Sequence, residues 1–168
     1  MPANFTIRPA TATDAGVILA MIRELAEYEK LAHEVVATED ALRDTLFAPG
    51  SCSAALVAER DGQAVGFAVY FRTYSTFLGR EGVYLEDVYV RPEHRRQGVG
   101  MQLLAAVAAE ANRLGGRLEW AVLDWNQPSI DVYESLGAVR HAEWLRYRLT
   151  GEPLAKLAGR AREERQAK

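Results

Sequence analysis

The feature that most narrows the possible folds is the run from residue 84 to residue 114. Tyr84-Leu85-Glu86-Asp87-Val88-Tyr89-Val90 alternates as a half-buried strand does, and Arg91-Pro92 closes it. Arg95-Arg96-Gln97-Gly98-Val99-Gly100 then opens directly into Val99, Leu103, Val107, Ala111 and Leu114, an apolar series at helical spacing. The predicted unit is a strand, a basic glycine loop and a helix. At a helix start the first N–H groups have no intrahelical partner, and the aligned peptide dipoles add about half a positive charge. Arg95 and Arg96 supply full charges, and the glycines let a ligand come close to the backbone. An anion such as a pyrophosphate is the expected guest. Two familiar phosphate loops are excluded. Met101-Gln102 stands where a mononucleotide loop needs Lys-Ser/Thr, and only G-x-G of the dinucleotide fingerprint G-x-G-x-x-G is present.

The rest of the chain builds a sheet around this unit. Phe5-Thr6-Ile7-Arg8 reads as a short strand closed by Pro9, then Thr13 can cap a helix through Val17, Ile18, Met21, Ile22, Leu25 and Tyr28. A second helix is predicted over 38–47, before Pro49-Gly50. Residues 54–58 and 64–71 read as strands joined at Asp61-Gly62, a hairpin signal, and 84–90 is the third strand of that meander. Gly115-Gly116 ends the glycine-loop helix. A strand over 118–123 follows, then a helix from 126 or 127 to 136 with Pro128 in its first turn and Gly137 as its stop. A last strand near 144–149 precedes a charged helical tail from Pro153. The expected organisation is one domain over 1–168, with the tail from about 158 a frayed helix or disordered.

Composition limits the partners. A chain of 168 residues can bury a sizeable core. Its net charge of −3 argues against nucleic acid, which selects basic domains. No apolar run approaches the ~20 residues of a membrane span, and no basic-then-apolar secretory signal opens the chain, so the cytoplasm is the expected location. Cys52 is the single cysteine, which excludes an intrachain disulfide or a cysteine zinc site. It reads as a small residue at the start of a buried strand. His33, His94 and His141 show no metal-ligand spacing and read as surface residues, and no metal is expected.

Arg95-x-x-Gly98-x-Gly100 after a Val-Tyr-Val strand resembles the acetyl-CoA signature Q/R-x-x-G-x-G/A of the GNAT acetyltransferases. Ile7-Arg8-Pro9-Ala10-Thr11 with Asp14 is similar to that superfamily's first strand and helix. Tyr84-Leu85-Glu86-Asp87, Trp125-Asn126-Gln127-Pro128-Ser129-Ile130 and Tyr133-Glu134-Ser135-Leu136-Gly137-Ala138 together resemble the diamine (spermidine/spermine-type) N-acetyltransferases and their thialysine-acetylating relatives. The match runs from about residue 5 to 157. The resemblance implies the GNAT fold, an α/β (α+β) domain with a central mixed, mostly antiparallel sheet flanked by helices. It implies a splayed parallel strand pair, here 84–90 and 118–123, with the pantetheine of acetyl-CoA between. It further implies backbone contacts from Val88 and Val90 to pantetheine and from Arg96, Gln97, Gly98, Val99, Gly100 and Met101 to pyrophosphate, with Tyr89 and Arg95 in the same cofactor-binding set. Asn126 and Ser129 would lie by the cofactor arm and Tyr133 by the thioester sulfur. Tyr28-Glu29 correspond to acceptor contacts on the first helix and Glu143-Trp144 to an acidic segment after the later one, where carboxylates hold a distal ammonium. Such relatives are usually homodimers.

These residue types suit acyl transfer to an amine. An alkylamine of pKa about 10.4 reaches its reactive neutral form at pH 7 at a cost of about 4.6 kcal/mol, so a base must take the proton. Glu86 fits, directly or through an ordered water. Glu86 and Asp87 point to opposite faces of a regular strand, a restriction that a local bulge would relax. The departing thiolate, from a thiol of pKa roughly 8.5, takes a proton from Tyr133, which shares a helix face with Ser129 and Ile130. No covalent nucleophile accompanies these groups, which favours direct attack in a ternary complex. The expected activity is acetyl-CoA-dependent N-acetylation of a small primary amine: a diamine, a polyamine or a thialysine-like amino acid. The alternatives are acetylation of a protein lysine or N-terminus or of an aminoglycoside, or a non-catalytic acyl-CoA sensor. Arg140 and His141 make the segment before Glu143 less anionic than a polyamine pocket needs, and Phe77 stands where some relatives carry tryptophan. Trp120, Trp125 and Trp144 are expected to pack the core and the acceptor-side wall.

Overall fold

The computed structural model describes residues 5–166, with side chains as far as residue 161. It divides into two compact units, one ending at Trp125 and one beginning at Asn126. The first holds a five-stranded sheet in the order β1-β2-β3-β4-β5. Its strands are β1 (Thr6–Pro9), β2 (Ser53–Arg60), β3 (Gln63–Ser75), β4 (Arg80–Val90) and β5 (Leu118–Trp120), and its helices are α1 (Ala15–Tyr28), α2 (Glu39–Leu46) and α3 (Val99–Leu114). Neighbouring strands from β1 to β4 are antiparallel, and β5 joins β4 in parallel. The expected mixed, mostly antiparallel sheet flanked by helices is what forms.

Local chemistry explains most of these boundaries. Asp61 and Gly62 both take left-handed φ (52° and 77°), as a two-residue hairpin turn requires. Gly115 closes α3 with φ 68°. The start of α1 differs from the expectation that Thr13 caps it. Asp14 occupies that place, its Oδ2 accepting the Thr11 N–H at 2.8 Å while both oxygens take the Arg8 guanidinium at 2.8 and 2.9 Å. Thr13 instead pairs its hydroxyl with that of Thr11. A part-buried ion pair from β1 thus outcompetes a local hydroxyl cap.

Ile18 and Met21 of α1 pack with Val57, Phe67 and Tyr89 of the sheet. Val83 and Leu85 of β4 are buried as well. Leu103 of α3 approaches Gly66, and Gly100 approaches the Val90 side chain. Where the chain enters β5, a Cβ on Gly116 would collide with the Glu81 carbonyl oxygen. Only glycine allows that backbone approach.

One irregularity in β4 organises the site. Leu85 pairs with Tyr70 and Asp87 with Val69, so Glu86 is an extra residue in a β-bulge. The parallel ladder with β5 covers only Val83 to Leu85, although β4 continues to Val90. The expected strand over 118–123 is accordingly cut to Leu118–Trp120. The bulge bends β4, and among the described residues 121–123 have no ladder partner.

The second unit contains α4 (Gln127–Ser135) and α5 (Gly151–Gln166). Pro128 lies in the first turn of α4 and Gly137 follows it with φ 83°, as expected. The expected strand at 144–149 does not form: the segment is non-regular, with Leu145 and Tyr147 76% and 91% exposed. Its apolar alternation supplies the side-chain pattern of a strand but not the partner backbone that a strand requires. Cys52 is exposed ahead of β2, not buried as expected. No helix among the described residues is long and apolar enough to cross a membrane.

Candidate active site

The loop after β4 is anchored at both ends. Arg91 grips the Glu24 carboxylate of α1 through Nε and Nη2 at 3.0–3.3 Å and donates Nη1 to the Ala64 carbonyl at 3.0 Å. Gln97 donates to the Glu93 carbonyl at 3.1 Å and accepts from Arg60 at 2.7 Å. Between these anchors Arg96 and Gly98 both take left-handed φ (59° and 85°), and a non-glycine residue held there stores strain of a kind that clusters at ligand-binding loops. The first intrahelical bond of α3 runs from the Gln102 N–H to the Gly98 carbonyl at 3.0 Å. The N–H groups of Val99, Gly100 and Met101 therefore lie before the helix's own ladder. A Cβ placed on Gly98 would meet nothing within 4 Å. The open approach, the row of N–H groups and the Arg96 charge together fit an anion.

The stretch beside the bulge is an acidic site. Tyr84 pairs with Phe71 and Asp87 with Val69, so these residues share a face although they are three positions apart. That face is the one α1 covers, since Val69 packs against the cluster of Ile18, Met21 and Tyr89. Asp87 is raised to a pKa of about 6, first by burial and then by the charges of Glu86 and Glu29. Burial also lifts Glu29, which caps the C-terminal end of α1, where the helix carbonyls add partial negative charge. Glu86, the bulged residue, is exposed. The result is a carboxylate cluster suited to an ammonium group, at the strand that leads into the anion-ready loop.

The α1 end is itself unusual. Leu31 N–H bonds to the Ala26 carbonyl at 2.8 Å and Lys30 N–H to that of Glu27 at 3.1 Å, the Schellman pattern, with Lys30 at φ 61° where glycine is the usual choice. Lys30 Nζ lies 5.7 Å from the Trp125 ring centroid. Trp125 packs against Tyr28 at 5.8 Å, and the Arg95 guanidinium lies 5.3 Å from the Tyr28 ring.

In the second unit, the Asn126 carbonyl accepts the N–H groups of Ser129 and Ile130 at 3.1 Å, starting α4. Tyr133 lies one turn after Ser129 on the same helix. Glu143 is held below the ordinary carboxylate range by its own backbone N–H and then by His141, whose Nδ1 is 3.2 Å from Glu143 Oε1. Trp144 is 74% exposed rather than core.

The model of the acetyltransferase (GNAT) family matches residues 19–138. The chain is 42% identical to a thialysine N-epsilon-acetyltransferase of Mus musculus over 170 residues, spanning 94% of this chain and 99% of that protein. It belongs to the GNAT acetyltransferases. An L-ornithine N5-acetyltransferase of Arabidopsis thaliana is 34% identical, over 88% of this chain and 85% of its own. A solved integron cassette protein from the V. cholerae mobile metagenome superposes with a TM-score of 0.76 at 25% identity, covering 94% of this chain and 98% of its own.

For this GNAT enzyme, the first unit contains Tyr28, Glu29, Glu86 and Asp87 together with Val88 to Val90 and the loop from Arg95 to Met101. Asn126, Ser129, Tyr133, Glu143 and Trp144 belong to the second unit. Tyr89 is 7% exposed with its ring 6.5 Å from Phe67, so its side chain belongs to the core. Arg95 is engaged by its N–H with the Pro92 carbonyl and by Nε with the Val90 carbonyl. Arg91, Glu24, Arg60 and Lys30 were not singled out from the sequence. The first three act through contacts tens of residues apart, which no local pattern encodes. The left-handed Lys30 carries no glycine to mark it.

Proposed function

We propose that this GNAT enzyme transfers the acetyl group of acetyl-CoA to a primary amine of a small molecule, a diamine, a polyamine or a thialysine-like amino acid, by direct attack while both substrates are bound. The observation that carries the reading is that an anion-ready loop and the Glu29, Glu86 and Asp87 carboxylates beside the β4 bulge lie within one unit. The similarity to a thialysine and an ornithine acetyltransferase supports an acceptor with a side-chain amine.

Acetyl-CoA supplies the electrophilic thioester carbonyl. The residues of this chain bind it and move the protons. Beyond Leu85 the outer edge of β4 has no ladder with β5, which leaves the backbone of Val88 and Val90 for the amide groups of pantetheine. The N–H groups of Val99 to Met101 and the Arg96 charge take the pyrophosphate. Asn126 and Ser129 serve the cofactor arm. Glu29 and Asp87, with Tyr28, attract the distal ammonium of the acceptor, and Glu143 and Trp144 are further acceptor residues. Glu86 receives the proton of the attacking amine, directly or through a water, and Tyr133 gives one to the departing thiolate. Cytoplasmic location and a homodimer, the usual state of the relatives this sequence resembles, complete the proposal.

The test is thiol release from acetyl-CoA against a panel of diamines, polyamines, thialysine, ornithine, lysine peptides and aminoglycosides. Turnover on the small amines is the expected result. Turnover confined to peptides or aminoglycosides would overturn the acceptor class, and coenzyme A binding with no turnover on any acceptor would overturn the enzyme reading in favour of a sensor.

A further inference from the structure

We infer that the side chain of Arg95, the first residue of the phosphate loop, is a positioning element for the amine and not a ligand of the coenzyme phosphates. The inference rests on the acetyl-transfer reading above and assigns the loop a second task. Arg95 Nε donates to the Val90 carbonyl at 2.8 Å, which directs the guanidinium back toward β4. There it lies 5.4 Å from the Tyr89 ring and 5.3 Å from the Tyr28 ring. Tyr28 meets Trp125 at 5.8 Å, and Lys30 Nζ lies over Trp125 at 5.7 Å. Tyr89, Arg95, Tyr28, Trp125 and Lys30 thus form a stack in which cations and rings follow one another, all within the first unit.

The two rings that flank Arg95 differ in firmness. Tyr89 is 7% exposed and fixed in the core against Phe67. Tyr28 is 39% exposed at the last turn of α1, next to Glu29 and a Lys30 held in the unfavourable left-handed region. Arg95 connects the firm ring to the exposed one. A planar, permanently charged guanidinium is the side chain best able to lie against ring faces while donating a hydrogen bond at Nε. Its place in sequence then has a consequence: the segment that cradles the cofactor's phosphates also backs the tyrosine beside the acceptor carboxylate. Ordering of the loop by cofactor favours amine binding, and by linkage amine favours cofactor to the same degree.

The test compares Arg95→Gln and Arg95→Lys with the wild type, with Tm recorded for each. The expected result for Arg95→Gln is an amine KM raised about five- to thirtyfold, coenzyme A affinity within about twofold by direct titration, and partial recovery in Arg95→Lys, which keeps the cation over the rings. Tyr28→Leu should raise the amine KM similarly, and the double variant should add little to either single one. A readout independent of turnover uses Trp125 as the sole tryptophan, in a Trp120→Phe, Trp144→Phe background. Arg95→Gln should then increase acrylamide quenching of Trp125 without any ligand. A tenfold loss of coenzyme A affinity with unchanged amine KM and unchanged Trp125 quenching would overturn the inference. Absence of turnover in the wild type with every amine would instead overturn the acetyl-transfer reading, while the Trp125 measurement would still decide the stack.

Discussion

Replacing Asp87 with asparagine should stabilise the protein at neutral pH while reducing its activity. Burial and the charges of Glu86 and Glu29 lift this carboxyl from 3.8 to about 6, which corresponds to roughly 3 kcal/mol of disfavoured ionisation in the folded state. The direction follows from proton binding. Below pH 4 Asp87 is neutral both folded and unfolded, and no penalty exists. Between pH 4 and 6 the unfolded chain releases the proton while the folded one retains it, so stability falls as pH rises. Above pH 6 the full penalty is present. Asparagine keeps the shape and never ionises, so Asp87→Asn should gain about 2–3 kcal/mol at pH 8. For a chain of this size that raises Tm by about 5–10 °C, and the gain should vanish near pH 4. Thermal melts of both proteins from pH 4 to 8 measure this directly, alongside the thiol-release rate. A Tm difference that is absent at pH 8, or equal at pH 4 and 8, would refute the account of a buried carboxylate strained by its neighbours.

The other predictions concern chemistry and folding separately. Tyr133→Phe should lower kcat by about 10²–10⁴ with little change in coenzyme A affinity, and unchanged turnover would remove Tyr133 from the proton-donor role. Glu86→Gln should alter the pH–rate profile of kcat/KM, and an identical profile would end its assignment as base. Asp14 is held at about 2, chiefly by its hydrogen bonds with Arg8. Its contribution of about 2 kcal/mol is present above pH 4 and is lost as pH falls toward 2, so Asp14→Asn should lower Tm at pH 7 but not near pH 2. Gly116→Ala should destabilise severely, because the added Cβ collides with the Glu81 carbonyl, and a melt within a degree of wild type would contradict that close approach.

Much of the fold was legible because its signals are local. The Asp61-Gly62 turn, the glycine stops at Gly115 and Gly137 and the phosphate loop at the start of α3 each depend on the conformation a few adjacent residues prefer. Two expectations failed for a common reason. The alternation at 118–123 and at 144–149 describes which side chains would face a core, whereas a strand exists only where another backbone completes its hydrogen bonds. Past Trp120 no such backbone pairs with β5 among the described residues, and 144–149 is non-regular.

The candidate site divides along the same line. Sequence by itself determined which chemical groups are present: the carboxylates at 29, 86 and 87, the tyrosine at 133 and the glycine loop with its arginines. Tertiary structure alone decided how those of the first unit face one another. Pairing of β3 with β4 leaves Glu86 as an extra residue, and that bulge brings Tyr84 onto the face of Asp87, which α1 covers and where Asp87 lies within reach of the Glu29 charge. Registry between strands is a property of two chain segments at once, so no reading of either segment contains it. The stack through Arg95 is decided likewise, since its rings come from α1 and β4, far apart in sequence and adjacent only after folding.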